Sequence, residues 1–303
     1  MKILDLIRKI EAEQRSIKTQ LINLDGLKRL KDVALKYEGE DKVVSFQDIA
    51  TRLKNAPQEL QMLSGWVSLD LILKGFRKGQ VVVVSALTKS GKTSWLMDLT
   101  TRLGGHSPMW LPFEESAEEL IRKFLERGEE PPQGFSPEVM KGNTMEWIEN
   151  RIVESIAKYD TKVVIIDQLD FIVSMGGDNH SLRVGQAMRD LKAMAKKWDI
   201  CIFIICHLVK AKMDTQPTLE DLKGSSSIGQ EADTVIMLWR ESKRENGQVV
   251  ITNNVNVSVQ ANRRTGKTGN VKMVYDNGHF TEKEWVAVDT KSDEEFENFT
   301  SKK

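Results

Sequence analysis

The distribution of apolar and polar positions changes character near residue 60. Before it, Ile3, Leu6, Ile7 and Ile10 recur at helical spacing, and Ser45 with Asp48 opens a second amphipathic piece. That piece carries Phe46, Ile49, Ala50 and Leu53 on one side and stops near Pro57. From about Gly65 the chain alternates between short runs apolar on every position and longer runs with helical periodicity. "QVVVVSA", "MWLPF", "KVVIID" and "ICIFIIC" are the strands. Between them lie a helix from Lys92 to Leu103, "SAEELIRKFLER" opened by a Ser116–Glu119 capping box, "NTMEWIENRIVESIAKY" and "LRVGQAMRDLKAMAKKW". Strands apolar on both faces are buried on both faces, which predicts an α/β fold with a mainly parallel sheet covered by helices. The last strands, "TVIMLWR", "QVVI", "NVSVQ" and "VKMVY", are linked by short turns that include Asn246-Gly247 and Asn277-Gly278. They predict an antiparallel C-terminal extension.

This pattern divides the chain into a short helical N-terminal accessory or linker region, 1–60, an α/β domain, 61–288, and a polar tail, 289–303, expected to be disordered. The N-terminal helices are expected to be an accessory element or an arm that docks on a neighbouring subunit.

Charge changes the picture by what it excludes. Lys+Arg and Asp+Glu both number 44, so no global field draws nucleic acid, and any such site is a local cluster. The two cysteines, Cys201 and Cys206, lie in one apolar strand on opposite faces, so a buried reduced pair is expected rather than a disulfide or zinc site. The charged start is no secretory signal, and no run approaches 18 apolar residues. A cytoplasmic protein without membrane contact is expected.

Two stretches carry Ala, four residues, then Gly-Lys-Thr: Ala86 to Thr93 and Ala261 to Thr268. A phosphate loop needs a buried strand before it and a helix after it, because backbone N–H groups at the helix N-terminus hold the anion. Around Ala86 both are present. Ala86, Leu87, Thr88, Lys89, Ser90, Gly91, Lys92, Thr93 and Ser94 are therefore the predicted nucleotide loop, with Lys92 on the β/γ-phosphates and Thr93 on Mg²⁺. Around Ala261 another strand comes next, so "RRTGKTG" is a hairpin turn and a decoy.

A nucleoside triphosphatase also needs a metal-side carboxylate and one to polarise water. Asp167 ends a buried strand and fits the first role, with Asp170 nearby; Glu114 and Glu115 end another strand, and one of them can face the γ-phosphate. His207 directly succeeds "CIFIIC" and can contact the γ-phosphate.

Taken together and in order, residues 64 to 285 resemble the ATPase domain of DnaB-type replicative helicases, a branch of the RecA-like fold. "GWVSLDLILKGFRKGQVVVVSALTKSGKTS" is similar to the family's entry segment, "VVIIDQLDFI" to its metal-site strand and "PTLEDLKGSSSIGQEADTVIMLWRE" to its DNA loop and following strand. "LPFEESAEELI" makes Glu114 the match to the catalytic glutamate, and "VQANRRTGKTGNVKMVYDNGHF" resembles the hairpin that carries an arginine finger. Two registers offer Arg263 or Arg264 as the finger, and Arg263 is preferred. The resemblance implies ATP and Mg²⁺, a ring of identical subunits, expected to be a hexamer, and 5′-to-3′ movement on single-stranded DNA. Lys210, Lys212, Lys223, Gly224 and Ser225 would then border the channel. Primase, a loader and a polymerase become expected partners, in a bacterial or phage-infected cytoplasm. The alternatives are a RecA-like ATPase switch and an ATP-binding scaffold or loader without unwinding. His207 stands where the family has Gln, Lys223-Gly224 where it has Arg-Glu, and Ala261 or Asn262 where it has Lys before the finger. The family's helical N-terminal domain is expected to be absent.

Overall fold

A computed structural model describes residues 2–39, 42–56, 61–87, 90–173, 180–208, 216–222, 225–245 and 248–283. It divides into two units, Met1–Glu59 and Leu60–Lys303.

The first unit holds two helices, α1 (Lys2–Leu35) and α2 (Phe46–Asn55). Ser45 caps α2: its hydroxyl accepts the Asp48 N–H, and the Asp48 carboxylate accepts the Ser45 N–H. That reciprocal box satisfies donors that a helix start otherwise leaves open.

The second unit is built on α3 (Val67–Leu73), β1 (Val81–Ala86), α4 (Lys92–Arg102), β2 (Met109–Pro112), α5 (Ala117–Glu126), α6 (Met145–Tyr159), β3 (Val163–Asp167) and α7 (Leu169–Ile172). It continues through α8 (His180–Lys197), β4 (Cys201–His207), α9 (Ser225–Glu231), β5 (Thr234–Glu245), β6 (Gln248–Asn262), β7 (Gly269–Asp276) and β8 (His279–Glu282). The sheet has eight strands in the order β2-β3-β4-β1-β5-β6-β7-β8. β2, β3, β4, β1 and β5 run parallel, and β6, β7 and β8 add antiparallel neighbours.

The parallel strands are apolar on both faces because both are covered. Val82, Val84, Phe203 and Ile205 belong to one hydrophobic cluster, with α3 and α4. Val81, Val83, Ile202 and Ile204 belong to the other, with α6 and α8. Cys201 and Cys206 fall into opposite clusters, both buried and unbridged. Burial pushes both thiols well above the usual range, so neither is a nucleophile at neutral pH.

One expectation needs correcting. "QVVI" and "NVSVQ" are not separate strands but parts of the single strand β6, which pairs with β5 from Glu245↔Gln248 to Thr234↔Asn262. The polar "TNN" between them is a bulge between the pairs Arg240↔Val255 and Ser242↔Ile251, and Thr252 and Asn254 hydrogen-bond to Glu241 across it. Asn246-Gly247 and the tail 289–303 lie outside the described residues. The Asn277-Gly278 turn has positive φ at both positions, 48° and 94°, the geometry that joins β7 to β8 tightly.

That last hairpin packs against α4. Phe280 is fully buried; its N–H donates to the Asp98 carboxylate at 2.6 Å, and its carbonyl accepts the Trp66 Nε1–H at 2.9 Å. Trp66 in turn stacks on Trp95 of α4 at 5.2 Å. The helix after the phosphate loop is thus gripped by the entry segment and by the end of the sheet.

Candidate nucleotide site

β1 ends at Ala86 in the middle of the sheet, and α4 begins six residues later at Lys92. Gly91 caps α4 with φ 89°, and a Cβ there would lie 3.2 Å from Phe280 Cζ. Both the left-handed backbone and the tight space therefore favour glycine. Ser90 turns the loop, its N–H donating to the Leu87 carbonyl at 3.1 Å. Thr88 and Lys89 lie outside the described residues.

Ser90, Gly91, Lys92, Thr93 and Ser94 line a cavity of about 410 Å³ with Glu114, His207, Arg240 and Tyr275. Lys92 is buried, and its ammonium donates to the Ala86 carbonyl at 3.3 Å. Burial pulls its pKa below the usual lysine range, while Asp167 and Glu114 oppose the shift. Thr93 Oγ1 donates to Asp167 Oδ2 at 3.0 Å, which joins the loop to the end of β3. The other oxygen, Asp167 Oδ1, is buried and finds no hydrogen-bond donor among the described residues. Burial raises the Asp167 pKa to about 6; the Thr93 hydrogen bond and Lys92 lower it, while Glu114 and Glu115 raise it further.

Glu114 is placed by backbone. The N–H groups of Phe113 and Glu114 both donate to the Asp167 carbonyl, at 2.7 and 3.1 Å, so the chain leaving β2 turns beside β3. Glu115 instead forms an ion pair with Lys123, which separates the two neighbouring acids. His207 pairs in register with Ala86 across the β1–β4 ladder, at the same end of the sheet. Asp170 opens α7 and does not line the cavity.

Two lining residues carry no signal in the sequence. Arg240 lies on β5, and its guanidinium sits 5.0 Å from the ring of Tyr275 on β7. Arg240 also donates to the Thr252 carbonyl through Nε and Nη2, at 3.1 and 3.0 Å. Nothing in their local sequence marks them; only the antiparallel register brings them to the phosphate loop.

The second Gly-Lys-Thr stretch is elsewhere. Asn262 pairs with Thr234 at the start of β5, and the Arg263 N–H donates to the Asp233 carbonyl at 2.8 Å. The Asp233 N–H donates to the carbonyl of Val81, the first residue of β1. The hairpin turn therefore sits beside the start of β1, and the phosphate loop sits past its end. Five residue steps separate them, about 16 Å of strand. The two arginines differ. Arg264 Nη1 donates to the carbonyls of Lys74 and Gly75 at 3.1 and 3.4 Å, whereas the Arg263 side chain is exposed.

Of the candidate channel residues, Lys210, Lys212, Lys223 and Gly224 lie outside the described residues, and Ser225 is the first residue of α9.

Residues 138–282 match the family model for the DnaB-like helicase C terminal domain. That segment, a little under half of the chain, is similar to the DnaB-like helicase C terminal domain. The matched segment takes in Asp167, His207 and both hairpin arginines, and it begins after Glu114 and the phosphate loop. A probable replicative DNA helicase of Trieres chinensis is 23 % identical over 76 % of this chain and 59 % of its own length. The replicative DNA helicase DnaB of Geobacillus stearothermophilus is 21 % identical over 78 % of this chain and 59 % of its own length. The chain thus spans less than two thirds of these relatives. Among solved structures, one ATPase domain superposes with a TM-score of 0.65, at 19 % identity, over 78 % of this chain and 97 % of that one. A DnaB-like replicative helicase studied with primase gives 0.67, at 19 % identity, over 90 % of this chain and 76 % of that one. The unit Leu60–Lys303 has the RecA-like fold of these neighbours. Among the described residues no helix is long and apolar enough to cross a membrane.

Proposed function

We propose that the chain is an ATP-driven DNA helicase that works as a ring of identical subunits, a hexamer, on single-stranded DNA in replication. One observation carries this reading: the phosphate loop and the hairpin arginines stand at opposite ends of β1. Arg263 cannot reach the loop of its own chain, so it serves the loop of a neighbour. Arg264 is held by its own chain at the end of α3, which leaves Arg263 as the finger. An arginine supplied to the transferring phosphoryl group from outside is worth roughly three to five powers of ten in rate in comparable phosphatases.

In this reading Lys92 binds the β/γ-phosphates, Glu114 orients the attacking water and His207 senses the γ-phosphate. Arg240 and Tyr275 offer a cationic and an aromatic surface at the same cavity, suited to the base. Thr93 and Asp167 would hold Mg²⁺; the buried, unpartnered Asp167 Oδ1 fits a cation. Held by these two residues, Mg²⁺ would supply positive charge against the phosphates. By resemblance Lys210, Lys212, Lys223, Gly224 and Ser225 would serve DNA, holding phosphates rather than bases, so that affinity falls with salt and tolerates sequence change. Movement is 5′-to-3′.

α2 exposes Phe46 and Leu53 and buries none of its residues, which suits docking on the adjacent subunit. The likeness to a helicase that interacts with primase supports primase as a partner, with a loader and a polymerase beside it, in a bacterial or phage-infected cytoplasm. The test is strand displacement on a forked DNA substrate with ATP, using Lys92→Ala as the inactive control. Displacement by the wild type alone supports the reading; DNA-stimulated ATP turnover without displacement would leave an ATPase switch, and turnover indifferent to DNA would leave a scaffold.

A further inference from the structure

α1 runs 34 residues, Lys2–Leu35, yet every one of its side chains whose exposure is described is exposed. An isolated helix gains little stability without a packed face. The sequence supplies such a face in a particular rhythm. Ile3, Ile7, Ile10, Gln14, Ile17, Leu21 and Leu24 succeed each other at alternating steps of four and three. That is the 3.5-residue period of a coiled-coil seam, held for three heptads. It stops at Leu24, because the next two seam positions are Lys28 and Lys31.

We propose that α1 pairs in parallel with the α1 of a second copy of this chain over residues 3–24. Two features select that occupant and that direction. In heptad terms Ile7, Gln14 and Leu21 are a positions, and Ile3, Ile10, Ile17 and Leu24 are d positions. A parallel pair in register sets Gln14 against Gln14, so that two amides meet in one layer and satisfy each other. An antiparallel pair sets Gln14 against an apolar d residue, Ile17 in the register centred between them, and leaves the amide without a partner. Glu13 then falls at g and Lys18 at the following e, the positions that meet across a parallel interface. The pair forms twice, once on each side. Both residues are exposed, as are Gln14 and Ile17.

Three heptads are near the lower limit for a stable coil, so a ring that already holds neighbours close would favour pairing through effective concentration. Pairing of α1 does not require the motor.

Single cysteines placed in the full-length chain test it, since Cys201 and Cys206 are buried at 0 % and 2 % exposure. Gln14→Cys and Ile17→Cys put the thiol on the seam; Ala12→Cys and Thr19→Cys put it on the opposite face. Under mild oxidation by glutathione disulfide, the seam variants should form interchain disulfides at least about tenfold faster than the outer ones, because only seam positions bring two Cβ atoms within disulfide reach. Adding Glu13→Lys to Gln14→Cys should slow the reaction, and adding Lys18→Glu as well should restore it. Equal rates on both faces, no restoration by the paired reversal, or linkage only when Gln14→Cys is mixed with Ile17→Cys would each overturn parallel pairing. ATP turnover of the same proteins separates the two readings. Cross-linking without turnover removes the motor and keeps the coil, and turnover without cross-linking does the reverse.

Discussion

Two stretches of this chain spell Ala, four residues, Gly-Lys-Thr, and they sit at opposite ends of the same strand. In the first, a buried strand delivers the loop to the start of α4, and Gly91 is pressed against Phe280. In the second, β6 turns straight into β7, and Gly266, also at positive φ, has nothing within 4 Å of where a Cβ would stand. The same letters become an anion cradle when a helix comes next and a hairpin when a strand does. In the proposed ring the second stretch matters for its arginines, which its place beside the start of β1 keeps from the loop of their own chain.

The strongest way to break this comparison is to remove the lysine from each stretch. Lys92→Ala should take ATP turnover to background, whereas Lys267→Ala should leave it near wild type, as measured by phosphate release. Equal losses would mean that both stretches bind nucleotide. Next come the arginines. Arg263→Ala should lower turnover by roughly three to five powers of ten, since the finger acts on the transition state. Arg264→Ala should act mainly on stability, by about 1–3 kcal/mol in denaturant titrations, because it removes charged hydrogen bonds to Lys74 and Gly75.

The third contrast is pH. Asp167 has a pKa near 6 in the fold against an ordinary 3.8, so the folded state binds its proton more tightly than the unfolded state does. The Asp167 share of the stability of the protein free of nucleotide and Mg²⁺ should therefore fall as pH rises from about 4 to about 6 and stay lost above that, by about 3 kcal/mol. Asp167→Asn should remove that share in thermal melts. Asp70, also raised to about 6 by burial, titrates in the same window and keeps its own share. A difference between wild type and Asp167→Asn that stays constant across this window would contradict the raised, buried carboxylate. The last contrast is between the two glycines. Gly91→Ala should weaken nucleotide binding strongly, while Gly266→Ala should cost only the backbone strain, about 1–2 kcal/mol.

Much of this arrangement is readable in the sequence alone. The parallel strands announce themselves because burial on both faces leaves nothing but apolar residues in Val81–Val84 and Ile202–Ile205. Ser45 and Ser116 mark helix starts because their boxes are local, three residues wide. Asp167 and Glu114 are legible from their place at strand ends. The features that escape are set by register between distant strands. Arg240 and Tyr275 reach the cavity only because β5, β6 and β7 pair as they do, and β6 absorbs polar residues that read as a break. The contrast between Arg263 and Arg264 likewise depends on where the end of α3 lies.

The central claim is that one chain completes the site of another, and mixing inactive proteins tests it most directly. Arg263→Ala and Glu114→Gln should each be inactive alone, because the first lacks the finger and the second the water-orienting carboxylate. Combined and allowed to exchange subunits, they should recover turnover, since some interfaces then join an intact Glu114 to an intact Arg263. Recovery that peaks at intermediate ratios is the predicted result. Turnover that stays at background at every ratio, although mixed rings are seen by native mass spectrometry, would contradict the account.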